Sequence, residues 1–211
     1  MEKNIPSVKD RVVAFKSMKY INGGLYLWDI PIVIHSLATE AVAQKLMVDR
    51  CGSQNCSEVF YNSGELQAYN AVKGLTEKYG FDKLLKSRKK LLEFNSSQQE
   101  TIGRGPLTCL KFDTKEDIYI FSSPSTFAAQ YKRVFGLQKE PVDFFVRGQL
   151  CGFIEYLVGK KLFCVETKCI AVGDDKCEFI IKPLEKWDKK DKYYQKQKLD
   201  NLHLFEKIKK I

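Results

Sequence analysis

Two cysteines and a glutamate in the C-terminal third of the sequence have the side chains and the spacing of a metal site. Cys169 lies three residues after Glu166, and Cys177 follows eight residues later. Residues 161–167 and 177–181 are rich in β-branched and aromatic residues, and Gly and Asp lie between them, so the sequence predicts a β-hairpin that brings the three side chains together. Two thiolates and a carboxylate can bind a tetrahedral ion, whose fourth ligand must then come from elsewhere.

The same cysteines have two other interpretations. Free cysteine is among the most buried residue types, so Cys169 and Cys177 could simply be small apolar residues of the core. A disulfide between them is also geometrically possible, although a reducing compartment disfavours it. Their spacing does not match a familiar zinc finger, so the residues alone leave these alternatives open.

A catalytic set cannot be assembled from this sequence. The chain has two histidines, His35 and His203, and no Ser-His-Asp set, paired-carboxylate cleft or nucleotide-binding loop is recognisable. A reductase would also need a hydride source, and no dinucleotide fingerprint is present. We therefore predict no catalytic residue, and we favour a binding protein over an enzyme.

The hairpin pattern E-x-x-C-x-x-x-G-D-x-x-C-x-F resembles the signature of the 4-vinyl reductase domain family, and the chain around it is similar to the sensor domain of phenol-responsive activators. The resemblance is specific over roughly residues 123–187. Zinc-bearing members of the family have their first ligand, a Cys, just after a Pro-Val pair, and Asp143 occupies that position here. The resemblance therefore implies a structural zinc ion bound by Asp143, Glu166, Cys169 and Cys177, with Cys151 as the reserve candidate for the fourth position.

The family also implies an α+β fold in which helices pack on an antiparallel sheet and enclose a small apolar or aromatic ligand, often in a homodimer. Five aromatic residues precede the hairpin where the phenol-sensing relatives place part of their ligand-binding domain. We predict that these residues line the pocket: Tyr119, Phe121, Phe127, Tyr131 and Phe135. Ordinary core packing is the alternative, because aromatic residues at helix or strand spacing usually belong to the core.

Two functions follow from the resemblance. The first is a zinc-containing sensor or carrier of a small molecule, in which ligand binding shifts a conformational equilibrium that a partner protein reads. The second is an enzyme or accessory protein that acts on vinyl-bearing tetrapyrroles, as the family name suggests.

Composition narrows the class of protein further. The chain has 211 residues and a net charge of +9, mostly from lysine, while arginine is sparse and no nucleic-acid-binding motif is recognisable, which argues against a nucleic-acid partner. No segment reaches the roughly eighteen apolar residues of a membrane span, and no signal peptide is recognisable, so we expect a cytoplasmic protein without membrane contact. Seven scattered cysteines indicate reduced thiols and ligands. Abundant Lys and Glu hint at a thermophilic source.

The remaining elements alternate between hairpins and helices. Strands are predicted over residues 8–21 and 25–30 and in a second hairpin over 107–122, and helices over 32–47, 57–79, 81–94, 123–135 and 141–157. Residues 51–56 and 95–105 are predicted to be irregular, and Gly64 and Gly74 are expected to loosen their helix. We predict a ligand-binding domain over residues 1–187 and a lysine-rich amphipathic helix over 188–211, whose apolar stripe packs on its own domain or pairs two protomers.

Overall fold

Helices pack against two antiparallel sheets in the computed structural model, which describes residues 18–27, 30–80 and 87–200. These residues have the α+β fold that the sequence predicts. The strands are β1 (Met18–Ile21), β2 (Gly24–Leu27), β3 (Ile30–Ile32), β4 (Thr108–Asp113), β5 (Ile118–Ser123), β6 (Phe163–Lys168) and β7 (Cys177–Lys182). The helices are α1 (Leu37–Cys51), α2 (Ser53–Tyr79), α3 (Arg88–Thr101), α4 (Thr126–Phe135), α5 (Phe144–Val158) and α6 (Lys192–Gln197).

The larger sheet has the strand order β4-β5-β7-β6, so the last hairpin lies beside the predicted second hairpin. Side chains alternate between the two faces of a strand, and in β7 this alternation buries Cys177, Phe179 and Ile181. Cys177 pairs with Ser123 on β5, while Phe179 pairs with Glu166 on β6. The register therefore brings Cys177 and Glu166 close together on the helix-covered side of the sheet.

Helix α5 packs against α2 at backbone distance. A Cβ atom added to Gly148 would lie 2.0 Å from the carbonyl oxygen of Tyr61, and one added to Gly152 would lie 2.2 Å from that of Glu65. Gly64 makes the reciprocal approach from α2, where a Cβ atom would lie 2.3 Å from the carbonyl oxygen of Phe145. Gly64 therefore permits close helix packing rather than loosening its helix.

The N-terminal hairpin is confirmed within the described residues, where β1 pairs with β2 and β3 extends the sheet. Asn22 and Gly23 form its turn with positive φ angles of 50° and 83°, which a two-residue hairpin of this type requires. The helix predicted from residue 32 begins later, at Leu37, because Ser36 caps it by accepting a hydrogen bond from the backbone N–H of Thr39 at 3.1 Å.

Two segments that we predicted to be irregular are largely helical. Residues 51–56 hold the end of α1 and the start of α2, and Gly52, with a φ angle of 82°, separates the two helices. Helix α3 continues to Thr101 through most of the predicted loop of residues 95–105. Its polar Glu and Gln residues form helices well, so their polarity was a poor guide to backbone conformation.

The metal hairpin and the helices on either side of residue 136 are confirmed, although α5 begins at Phe144 rather than at Pro141. The predicted C-terminal helix is short over the described residues, where α6 ends at Gln197 and Leu199 packs into the core. Most of its predicted apolar stripe falls within residues 201–211, outside the described part of the chain. Among the described helices, none combines the length and the apolar character that crossing a membrane requires.

Candidate functional site

The four predicted metal ligands converge at one buried point. Glu166 lies near the end of β6, Cys169 directly follows that strand, Cys177 begins β7, and Asp143 precedes the first residue of α5. Each residue is at most 1% exposed, and one carboxylate oxygen or sulfur atom from each lies within 4.8 Å of the others. Residues more than twenty positions apart in the sequence thus form a single cluster.

The Asp143 side chain is turned towards this cluster rather than towards its helix. Aspartate at an N-cap position usually accepts a hydrogen bond from the first helical turn, but the Asp143 side chain accepts none there. Its Oδ1 atom accepts instead from the Ser125 hydroxyl at 2.9 Å, and its backbone N–H donates to Glu166 Oε2 at 3.2 Å. These contacts fix both carboxylates at the top of the hairpin.

One oxygen of each carboxylate remains available. Asp143 Oδ2 and Glu166 Oε1 are buried and accept no hydrogen bond of normal geometry from the described residues. Buried carboxylate oxygens without partners are costly, and a bound cation removes that cost. Two such oxygens beside two thiols are four ligand atoms of the types that bind zinc.

Backbone groups also hold the two thiols in place. The backbone N–H of Ile170 points to the Cys177 sulfur at 3.4 Å, which is suited to stabilising a thiolate. The turn residue Asp174 accepts a hydrogen bond from the backbone N–H of Cys169 at 2.7 Å. The Gly-Asp part of the sequence pattern therefore fixes the position of Cys169.

The electrostatics of the cluster resist full ionisation. Burial raises the pKa of Asp143 and raises that of Glu166 well above its usual range. A hydrogen bond between the thiols lowers the pKa of Cys169 and raises that of Cys177, which burial raises further. Four acidic groups in one dry space cannot all carry a negative charge unless a cation balances them.

Cys151 lies in a different group of side chains. It is buried in α5 beside Glu65 and Glu155, and its thiol interacts with the Tyr61 hydroxyl. The structure therefore brings Asp143, and not Cys151, to the hairpin ligands. Cys169 and Cys177 are free thiols, so the structure contains no disulfide between them.

The five predicted ligand-binding aromatic residues lie in the packed interior. Tyr119, Phe121, Phe127 and Tyr131 are buried, and Phe135 packs against them at the edge of the core. The Tyr131 ring centroid lies 5.9 Å from that of Phe127 and 5.0 Å from that of Phe135. Their role in ligand binding stays a prediction, because a cavity elsewhere in the fold is lined by none of them.

That cavity has a volume of about 400 Å³ and lies between α2, α3 and α5, with β2 and β3 nearby. Most of its lining is apolar: Leu27, Ile32, Ala68, Ala71, Val72, Leu75, Leu91, Phe94, Ile102, Leu107, Val146, Leu150 and Phe153. The other lining side chains are all carboxamides: Gln67, Asn70, Asn95, Gln98, Gln99 and Gln149. The volume falls in the range of small-molecule sites.

Sequence reasoning missed this cavity for an identifiable reason. Asn95, Gln98 and Gln99 lie on the part of α3 that we predicted to be a loop, so they were not assigned to any face. A helix wall made partly of amides lacks the apolar stripe that periodicity detects. Carboxamides at helical spacing, three and four residues apart, were the signal that could have indicated it.

Comparisons with known proteins agree with the geometry. The model of the vinyl-4-reductase domain family matches residues 122–183. The chain is 31% identical over 83 residues to the phenol regulator MopR of Acinetobacter guillouiae, covering 39% of this chain and 15% of that protein. It is 38% identical over 52 residues to the transcriptional regulatory protein XylR of Pseudomonas putida, covering 25% and 9%. The chain thus matches only a small part of either regulator.

A solved structure resembles the chain over a greater length. The phenol-responsive sensory domain of the transcription activator PoxR, solved with phenol, superposes with a TM-score of 0.69 over 85% of this chain and 91% of that one. The two sequences are 19% identical, so this likeness concerns the fold.

Proposed function

Because residues 122–183 of this chain are a vinyl-4-reductase domain, we propose that the protein is a small-molecule sensor or carrier whose last hairpin is fixed by a structural zinc ion. The relatives support this proposal through their names, since MopR is a phenol regulator and PoxR a phenol-responsive activator. The ligand of this chain is accordingly small and either apolar or aromatic.

The observation that carries the proposal is the cavity of about 400 Å³ between α2, α3 and α5. Well-packed interiors hold few voids larger than a water molecule, so a cavity of this size in a small domain is informative. Its apolar lining with a few polar groups is typical of ligand sites. We therefore place the ligand there, and we assign the five buried aromatic residues to the packed wall behind it.

The metal part of the proposal rests on the buried cluster of two carboxylates and two thiols. Asp143, Glu166, Cys169 and Cys177 would hold zinc through four protein ligands, which leaves no open position for a catalytic water molecule. The role of such an ion is structural: it joins the start of α5 to the final hairpin.

The wider biological setting is also part of the proposal. We assign the protein to the cytoplasm, where its seven free cysteines would stay reduced. It works as a homodimer and passes its conformational state to a partner protein.

Blocking the cavity tests the proposal. Ala71 lines the cavity, so Ala71→Phe fills part of it, while Ala129→Phe makes the same change at an exposed position of α4. Native mass spectrometry of freshly purified protein and a thermal-shift screen of phenols, small aromatics, lipids and tetrapyrroles identify ligands. We expect small aromatic compounds to raise the Tm of the natural protein and of Ala129→Phe, but not of Ala71→Phe.

Two other results would redirect the assignment. Loss of binding in Phe127→Leu, with Ala71→Phe still binding, would return the ligand to the aromatic cluster. Stabilisation by tetrapyrroles alone would favour the enzyme or accessory function instead.

A further inference from the structure

The cavity wall is uncharged throughout the described residues. Its polar side chains are all carboxamides, and no carboxylate, ammonium, guanidinium, imidazole or hydroxyl side chain belongs to its described lining. An ionised ligand would therefore lose its hydration without gaining an opposite charge, which is strongly unfavourable in an apolar site. A ligand of this cavity must be neutral.

Two amide atoms in the wall lack partners. Gln149 is 7% exposed, and its Nε2 atom donates to Gln67 Oε1 at 2.7 Å, which leaves its own Oε1 atom buried and unsatisfied. The Nε2 atom of Gln98 is likewise buried without an acceptor among the described residues. The cavity thus offers one free acceptor on α5 and one free donor on α3.

From these observations we infer that the cavity selects neutral amides, namely carboxamides or lactams with a small aromatic or aliphatic body. The N–H group of the ligand donates to Gln149 Oε1, and its carbonyl oxygen accepts from Gln98 Nε2. The body of the ligand packs among apolar side chains such as Phe94, Leu150 and Phe153.

The separation of the two free atoms on different helices favours this class over a simple alcohol or phenol. An amide places its donor and acceptor on different atoms that point in different directions, whereas a hydroxyl group concentrates both on one oxygen. A site built to hydrogen-bond its ligand rejects analogues that lack those groups, because its own polar atoms then stay unpaired. This inference rests on the proposed function and narrows its ligand class.

A matched series of monosubstituted benzenes tests the inference by isothermal titration calorimetry: benzamide, phenol, toluene, benzoate and benzylammonium. We expect benzamide to bind at least tenfold more tightly than toluene or phenol, and neither ion to bind measurably. Equal affinity for phenol and benzamide, or binding of either ion, would overturn the amide assignment while the cavity remained a ligand site. No binding by any of the five compounds would instead count against the cavity itself as the ligand site.

Variants locate the contacts. Gln149→Leu and Gln98→Leu should each lower benzamide affinity at least tenfold and leave toluene affinity equal or higher. Retained toluene binding also shows that each variant is folded. Gln130→Leu, the same substitution on α4 outside the cavity lining, should preserve the preference for benzamide. Unchanged benzamide affinity in both cavity variants would contradict the proposed contacts.

Discussion

At the scale of single residues, the metal cluster combines strong positioning with incomplete satisfaction of its polar atoms. Ser125 and the backbone of Asp143 each hold one carboxylate oxygen, while the other oxygen of each carboxylate has no partner of normal geometry among the described residues. Such an arrangement is unfavourable in the absence of a cation and favourable in its presence. Metal content and stability should therefore change together.

Replacing a thiolate ligand tests this link. We expect Cys177→Ser to lose the zinc and to lower the Tm by about 10 °C, because losing roughly 3 kcal/mol shifts the Tm of a domain of this size by about 2–4 °C per kcal/mol. Elemental analysis and calorimetry measure the two effects. Cys109→Ser alters an exposed cysteine and should change neither quantity. Zinc-free natural protein, never exposed to chelator or oxidant, would contradict the prediction.

Asp143 is the unusual member of the ligand set, and a substitution can show that it belongs there. Asp143→Cys should retain zinc and bind it at least tenfold more tightly, because a third thiolate replaces a harder oxygen ligand. Competition with a chromogenic chelator measures the affinity. Cys151→Ser should leave zinc affinity unchanged, since Cys151 lies with Glu65 and Glu155 rather than at the hairpin. The opposite pattern would make Cys151 the fourth ligand.

At the scale of elements, α5 connects the cavity to the metal cluster. Val146, Gln149 and Phe153 line the cavity, while Asp143 precedes the same helix and belongs to the cluster. A ligand that shifts α5 therefore acts directly on one metal ligand, and a metal that holds Asp143 restricts the movement of the cavity wall. The contact between α5 and α2 must be rigid for this coupling to operate.

Glycine supplies that rigidity by allowing the two backbones to touch. Gly148→Ala should destabilise the protein by about 3 kcal/mol, because the new methyl group would lie 2.0 Å from the Tyr61 carbonyl oxygen and the helices would have to separate. Gly74→Ala makes the same change on α2, where no atom lies within 4 Å of the added Cβ, and should stabilise by up to about 1 kcal/mol. Chemical denaturation distinguishes the two, and equal effects would refute the packing argument.

These elements also show what the sequence could predict and what it could not. The last hairpin was predictable because its apolar runs, turn residues and ligands are local in sequence. The role of Gly64 was not, because only the folded structure places it against the backbone of α5. The helical path of residues 95–101 was missed because its inner face contains amides, which hydrophobic periodicity counts as polar.

At the scale of the whole molecule, the C-terminal segment is fastened over the metal hairpin. The Gln197 side chain pairs with the backbone of Glu166, accepting from its N–H at 2.9 Å and donating to its carbonyl at 2.7 Å. Arg147, fully buried in α5, donates to the Gln197 carbonyl oxygen at 3.1 Å and to that of Cys164 at 3.2 Å. The residues up to Asp200 therefore belong to the domain, and a test of the tail must retain them.

Removing only the residues after Asp200 tests the predicted homodimer. Leu202, Phe205, Ile208 and Ile211 follow at spacings of three, and an apolar stripe of this kind is stabilised at roughly 25 cal/mol per Å² when a partner covers it. We expect light scattering to give a dimer for the full chain and a monomer for the truncated chain, with little change in Tm because Gln197 and Leu199 remain buried. Phe205→Glu in the full chain should also give a monomer, whereas Lys207→Glu, a substitution outside the stripe, should leave the dimer intact. An equal mass for the full and truncated chains would show that the tail has no part in assembly.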